Sequence, residues 1–239
     1  MLQPFIIYKE KMLTKKFKKV TGDIKHFGLS GFVLLKLTEN IYTRKFKRLG
    51  IVHPGRQFKI QDYYSVNNDS RKNESSAYYL IKKGIEITGI NHKAIHLLDV
   101  GCGDGRVLNF GILLNFKQVT GIDLDGAALA KATANCRKLQ KKGYTTAFHI
   151  HHQDACTYQI PAGTNLIFMF NPFGEKTMQA FLENIIRYAT IDKTDLYVVY
   201  VVPVHRKIFA GYKQFIKVAE KFNRNNTVPE IAVFKIAHQ

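Results

Sequence analysis

Residues 97–108, LLDVGCGDGRVL, constrain the fold more than any other stretch of this chain. An apolar run ends in an acid and opens into a glycine-rich turn, as a buried parallel strand does where it feeds a ligand-binding loop. Leu97, Leu98 and Val100 suit the strand. Gly101, Gly103 and Gly105 allow backbone conformations and close approaches that a Cβ forbids, and residues 106–115 read as the helix that follows. Such a loop sets backbone N–H groups and a helix N-terminus against a ligand, commonly a phosphate of a dinucleotide.

Two details point away from a dinucleotide. Asp99 precedes the glycines and Asp104 lies between them; two carboxylates repel a pyrophosphate and suit a cation. A second strand end, GIDLD at 121–125, places Asp123 22 residues beyond Gly101, near the spacing of roughly 20 at which an acid grips ribose hydroxyls. A ribose-bearing, positively charged adenosine compound satisfies both, and S-adenosylmethionine is one. A nicotinamide dehydrogenase shares the general plan, but its fingerprint is G-x-G-x-x-G, whereas the glycines here are spaced G-x-G-x-G.

DVGCGDG followed by GIDLD resembles motifs one and two of the class I S-adenosylmethionine-dependent methyltransferases, and the likeness extends from about residue 74 to the C-terminus. It implies a cofactor site of Asp99, Gly101, Cys102 and Gly103 along the methionine and ribose portions. Asp123, with Leu124, would take the ribose hydroxyls, and Asp154, with Ala155, the adenine amino group. Asn171-Pro172-Phe173-Gly174 stands where the family's fourth motif stands, and Asn171 would border both cofactor and acceptor. The chain also resembles uncharacterised bacterial methyltransferases that pair a basic N-terminal region with an NPFG fourth motif and a Pro-Val-His-Arg turn. The fold this implies is α/β: a seven-stranded, mostly parallel Rossmann-like sheet with an antiparallel C-terminal hairpin, preceded by a basic helical N-terminal extension.

At 239 residues, 46% of them hydrophobic, the chain can bury a full core. Three cysteines, an odd number without a C-x-x-C spacing, argue against a disulfide framework or a zinc site and suit a reducing, cytoplasmic setting. The formal net charge of +18 suggests a polyanionic partner, either nucleic acid or an acidic surface. Residues 1–60 hold fourteen Lys and Arg against three Asp and Glu, and the remainder 22 against 15, so most of the excess lies ahead of the glycine loop.

Taken in order, residues 1–60 form the basic extension, with helices expected over 1–20 and 29–49, neither apolar enough to span a bilayer. Two readings stay open: a grip on nucleic acid or a membrane surface, and an extra helical layer with solvated lysines. Residues 61–73 are a linker or a lid, with Tyr63, Tyr64 and Ser65 as lid candidates. Residues 74–239 are the methyltransferase domain. Ser75 or Ser76 can cap a helix reaching Thr88; further helices are expected over 126–142 and 176–188. Strands are expected over 145–150, 166–170 and 196–202, and a hairpin over 215–222 and 231–236.

His149, His151 and His152 invite a metal, though no thiolate or carboxylate cluster completes a first shell; the alternative is polar residues at a strand end. Methyl transfer needs positioning and the removal of one proton rather than a covalent nucleophile. Asn171 can orient a nitrogen acceptor, Phe173 can face a planar or cationic substrate, and His205 can serve as base near neutral pH, with Arg206 for an anionic portion. The motif departs from Asn-Pro-Pro-aromatic, since Phe173 replaces the second proline and Gly174 the aromatic. A plain strand-exit turn at Asn171 and a loop histidine at 205 are the structural alternatives. The reading is a methyltransferase acting on a nitrogen of an unidentified acceptor; its rival is a nucleic-acid or membrane-surface binding protein with a non-catalytic domain of the same fold.

Overall fold

The computed structural model describes residues 3–53 and 75–237, with side chains from residue 20 onward. The lid candidates Tyr63, Tyr64 and Ser65, and the 61–73 segment as a whole, lie outside the described residues. In chain order the elements are helix α1 (Gln3–Arg48), α2 (Tyr78–Thr88), a 3-10 turn (His92–Ala94), β1 (His96–Val100), α3 (Arg106–Leu113), β2 (Gln118–Asp123), α4 (Gly126–Lys141) and β3 (Ala147–His152). There follow β4 (Leu166–Phe170), α5 (Glu175–Ile191), β5 (Tyr197–Val201), a second 3-10 turn (Arg206–Gly211), β6 (Phe215–Phe222) and β7 (Pro229–Ile236).

The seven strands form one sheet in the order β3-β2-β1-β4-β5-β7-β6. Strands β1 to β5 are parallel, while β7 runs antiparallel to β5 and to β6. The expected mostly parallel, Rossmann-like sheet with an antiparallel hairpin is therefore present. The apolar runs of β1, β4 and β5 exist because both sheet faces are covered. Alternation of period two then sorts their side chains between two cores. Leu97, Phe168, Val199 and Val201 face a layer of α2, α3 and α4. Leu98, Val100, Ile167, Met169 and Tyr200 face α5 and the second 3-10 turn, through Phe181, Leu182, Ile185 and Phe209. A fully buried side chain of this kind stabilises by about 1.5–3 kcal/mol.

Helix α1 is continuous in assignment but broken at Gly28, whose φ of 73° and ψ of 169° are not helical. The break falls within the expected interval between residues 20 and 29, but it is confined to this one residue, where the β6–β7 turn docks. The Arg224 N–H donates to the His26 carbonyl at 2.9 Å, and a Cβ on Gly28 would lie 3.2 Å from Arg224 Cδ. Below the break, Glu230, 1% exposed, sits between His26 Nε2 at 3.2 Å and Lys221 Nζ at 2.8 Å. Beyond it, Leu35, Tyr42 and Phe46 turn inward, and the Tyr42 ring packs 5.2 Å from Tyr78 and 4.8 Å from Phe110.

Two further expectations are corrected. Neither Ser75 nor Ser76 caps α2; its N-cap is Ala77, which makes no side-chain cap bond. The donor at the head of that helix is satisfied from outside, as Glu39 Oε1 accepts the Tyr78 N–H. Strand β3 lies two residues later than expected, over Ala147–His152, because its register is set by pairing along β2, from Gln118↔Ala147 to Asp123↔His152.

Candidate active site

The strand order reverses between β1 and β4, and in open α/β sheets the crevice at the carboxyl ends of such strands receives the ligand. Asp99, in β1, reaches this edge with only 3% exposure. The loop after it takes positive φ at Gly101, Gly103 and Gly105, and it is stitched to β2 where Gly101 and Cys102 donate their N–H groups to the Ile122 carbonyl at 2.9 and 3.0 Å. At Gly105 both steric arguments for glycine hold. Its φ is +82°, and a Cβ would lie 3.0 Å from Ala132 Cβ of α4.

Asp123 holds the loop as well as facing the cleft edge. Its Oδ2 accepts the Gly103 N–H at 2.8 Å, and its Oδ1 the Asp125 N–H at 2.9 Å. Asp125 in turn caps α4, accepting from Ala127 and Ala128 at 3.0 Å each. Leu124 is 66% exposed, and its carbonyl lies 2.9 Å from His152 Nε2. Asp154 is exposed at the end of the next strand and accepts the Cys156 N–H at 2.9 Å; Ala155 is buried behind it. Replacing Asp123 with alanine orphans two loop N–H groups, those of Gly103 and Asp125. The expected result is at least about a hundredfold loss of S-adenosylmethionine affinity by calorimetry, with a stability loss of about 1–3 kcal/mol by thermal unfolding.

The cleft is lined by Asp99, Asp104, Arg106, Ser75, Ser76 and Phe170, among others. Asp99 Oδ2 is buried with no hydrogen-bond partner among the described residues. Burial, followed by the carboxylates of Asp123 and Asp104, pushes its pKa well above the usual carboxylate range. A buried acceptor with no donor, in a cleft whose loop exposes backbone to a ligand, fits a cationic group such as the ammonium of S-adenosylmethionine. The cysteines supply no nucleophile. Burial is the leading cause that pushes Cys102 well up, Cys136 to about 12 and Cys156 to about 11, so none is a thiolate at neutral pH.

Across the switch point, Asn171 is 1% exposed with φ of 37°. Its Oδ1 accepts the Tyr200 hydroxyl at 2.9 Å, and the same hydroxyl accepts the His205 N–H at 3.3 Å. Val202, at the end of β5, also takes a positive φ, 50°, a conformation that costs a β-branched residue on the order of 1–3 kcal/mol. A Cβ on Gly101 would lie 3.2 Å from Pro172 Cβ, so the glycine loop and the Asn-Pro turn abut. The structure therefore brings Asp99, Gly101, Cys102, Gly103 and Asp123 together, places Asn171 beside them, and ties His205 to Asn171 through Tyr200. The Phe173 ring packs edge-to-face with Phe181 at 5.6 Å. Arg206 does not stand open to an anion, as its Nε donates to Glu220. Among the described residues no group of three or more His, Cys, Asp or Glu side chains could hold a metal ion; the His149 and His151 rings stack at 6.5 Å.

Sequence reading missed Glu39, His53 and Arg106. Arg106 follows the last loop glycine and is 4% exposed. Its guanidinium lies 3.7 Å from the Tyr78 ring centroid and its Nη2 2.6 Å from Glu39 Oε2 of α1. His53 Nδ1 lies 3.4 Å from Asp104 Oδ1, and its Nε2 3.2 Å from Asn109 Nδ2. The available signal was Arg106 itself, a charge opening the otherwise apolar helix VLNFGILL, which demands a buried partner.

The strand order, the glycine loop at the end of β1 and the acid at the end of β2 define a class I, Rossmann-like nucleoside-binding α/β domain. Residues 97–190 match a family model described as a methyltransferase domain. The fold is similar to an RNA methyltransferase from Salinibacter ruber in complex with S-adenosyl-L-homocysteine, with TM-score 0.53 and 13% identity over 69% of this chain and 95% of that one. It is also similar to magnesium protoporphyrin IX methyltransferase from Synechocystis PCC 6803 with bound S-adenosylmethionine, with TM-score 0.52 and 13% identity over 85% and 97%. No protein of curated function matches the sequence. The chain thus carries a class I S-adenosylmethionine-dependent methyltransferase domain, and S-adenosyl-L-methionine is its cofactor.

Proposed function

We propose that this methyltransferase acts on a nitrogen, and that the Asn171–Pro172 turn receives the acceptor. The observation that supports this reading is the coupling of Asn171 Oδ1 to Tyr200 at 2.9 Å, in a turn packed against the glycine loop at Pro172. When bound, S-adenosylmethionine supplies an electrophilic methyl group. Asp99 holds its ammonium, Asp123 its ribose hydroxyls and Asp154 its adenine amino group, with the Gly101, Cys102 and Gly103 backbone between them. The Asn171 carboxamide, held by the Tyr200 hydroxyl, accepts an N–H of the acceptor and so orients the nitrogen lone pair. The His205 imidazole, on the turn that Tyr200 anchors, takes the proton that the nitrogen releases. Phe173, edge-to-face with Phe181 of α5, steadies the turn.

The net charge of +18 favours an acceptor on, or held beside, a polyanion. The similar folds include both an RNA and a porphyrin methyltransferase, so the acceptor class rests on this chain's own charge. Three free cysteines favour a reducing compartment.

The test is transfer of isotopically labelled methyl from S-adenosylmethionine to fractionated RNA, protein, lipid and metabolite pools, with the product atom assigned by mass spectrometry. An N-methyl product supports the reading, and an O-, S- or C-methyl product overturns it. Asn171→Ala should lower kcat by about a hundredfold, and Tyr200→Phe, which removes one buried hydrogen bond, by about tenfold. Cofactor affinity should stay within about threefold of wild type in both. Unchanged turnover in Asn171→Ala would remove Asn171 from the mechanism.

A further inference from the structure

The two sides of α1 differ from an ordinary surface helix, because both are apolar. Phe27, Leu35 and Phe46 face the core at 9%, 1% and 1% exposure. On the opposite side, Val33, Leu34, Leu37 and Ile41 are 44%, 51%, 53% and 56% exposed. Their spacing of three and four residues aligns them along one helical stripe. The same stripe continues through Arg44 and Arg48, with Lys45 and Lys47 alongside, all exposed.

The charge on this helix is sorted as well. The two acids with described side chains both turn inward. Asp23 is 8% exposed with Lys36 Nζ at 3.7 Å, and Glu39 is engaged by Arg106. The outer side therefore presents apolar residues followed by cations, without an acid among the described residues. The helical backbone extends back to Gln3, and over residues 5–19 the sequence again interleaves Phe5, Ile6, Ile7, Met12, Leu13 and Phe17 with lysines.

We infer that the outer face of α1 lies in the interface of an anionic lipid bilayer, with Val33, Leu34, Leu37 and Ile41 entering the acyl boundary and Arg44, Lys45, Lys47 and Arg48 meeting acidic headgroups. An in-plane helix of this kind buries its apolar stripe and adds about 1 kcal/mol per cation near the surface. Among the described residues no helix is long and apolar enough to cross a membrane, consistent with lying on it. Two other occupants fit the stripe less well. A second copy packed parallel along it would set Arg44 and Arg48 against their equivalents, a like-charge seam that opposes dimerisation, and an antiparallel copy would set those cations against the apolar stripe without a counter-charge. Nucleic acid would neutralise the cations and leave four half-exposed apolar side chains in water. Because Glu39 reaches the cleft wall from the opposite side of the same helix, this placement holds the cofactor cleft about one helix diameter, roughly 10–12 Å, from the headgroups. A methyl acceptor presented at that surface would be within reach.

The experiment uses the full chain with phosphatidylcholine vesicles, with and without phosphatidylglycerol, in a flotation assay. Wild-type protein should float with the anionic vesicles only, and less so as salt is added. Leu34→Ser/Leu37→Ser/Ile41→Ser leaves the charge unchanged and should lower partitioning by more than about tenfold. Arg44→Gln/Arg48→Gln should lower it by about fivefold for each charge removed. Three results would overturn the inference: no flotation with anionic vesicles, flotation insensitive to the triple serine variant, or a wild-type dimer by light scattering that the same variant converts to monomer. S-adenosylmethionine binding by each variant confirms its fold, and separates failure of this surface from failure of the nitrogen-transfer reading.

Discussion

Asp99→Asn is expected to make the ligand-free protein more stable and unable to bind S-adenosylmethionine. The carboxyl group is 3% exposed, its Oδ2 has no partner among the described residues, and burial pushes its pKa well above the ordinary range, helped by Asp123 and Asp104. A group whose folded pKa exceeds its unfolded value contributes stability in full only below the unfolded value. That contribution is lost as pH rises through the folded pKa. Near and above neutral pH the empty cleft therefore holds a carboxyl group driven toward a charged form that its surroundings disfavour. Asparagine has the same shape and no charge to desolvate. For a domain of this size each kcal/mol recovered raises Tm by about 2–4 °C, and a rise of that order is expected in alkaline buffer, shrinking toward acid pH.

On the proposal that Asp99 is the counter-charge of the cofactor's ammonium, the same change removes that anion, so calorimetry should find no binding in the range where wild type saturates. In the wild type, affinity should fall as pH drops below the folded pKa of Asp99, by up to tenfold per pH unit, because the cation must then displace a proton. A variant with lower Tm and wild-type affinity would mean that Asp99 is a structural hydrogen-bonding group and not the cation's counter-charge.

The parts of this molecule that sequence exposes are those whose physics is local. Strands β1, β4 and β5 are buried on both faces, so LLDV, LIFMF and YVVYV stand out as apolar runs. The loop between β1 and α3 needs positive φ at three nearby positions, and three glycines announce it. Asp123 closes the apolar strand β2, and Asp154 follows β3 by two residues, both at the carboxyl edge where a parallel sheet receives ligands. Strand β3 starts two residues later than its sequence suggests because its side chains are only partly covered, and AFHIHH carries too weak an apolar pattern to mark its ends. What sequence concealed depends on contacts between distant segments. Ser75 and Ser76 are the local cap candidates for α2, yet the acceptor for its first N–H is Glu39, 39 residues upstream. The partner of Asn171 is Tyr200, 29 residues downstream; they meet only because β4 and β5 pair, with Met169 opposite Tyr200. The linear motif also hides that the Phe173 ring packs edge-to-face on Phe181 of α5.

Glu39→Ala is the other change expected to have a large effect, because one carboxylate serves two elements. Oε2 pairs with Arg106 at 2.6 Å, with side-chain exposures of 17% and 5%, and Oε1 accepts the first N–H of α2. Removing it leaves the Arg106 guanidinium without its carboxylate, stacked on Tyr78, and deprives α2 of a terminal acceptor. Breaking a buried pair from one side costs about 3–5 kcal/mol, and an unsatisfied helix-end donor adds about 1 kcal/mol, so a stability loss of about 3 kcal/mol or more is expected in denaturant unfolding. Glu39→Gln keeps the shape and the acceptor for Tyr78, and should cost less than half as much. The functional effect follows from position. Arg106 lines the cleft with Asp99 and Asp104, and it opens α3 directly after Gly105, so a displaced guanidinium disturbs the loop that holds the cofactor. Affinity for S-adenosylmethionine should fall by about tenfold in Glu39→Ala, measured where the variant remains folded, and by less in Glu39→Gln. If Glu39→Ala unfolds at the wild-type denaturant concentration, α1 is a bystander to the cleft; if it is destabilised but binds cofactor normally, the pair braces the helices without shaping the site.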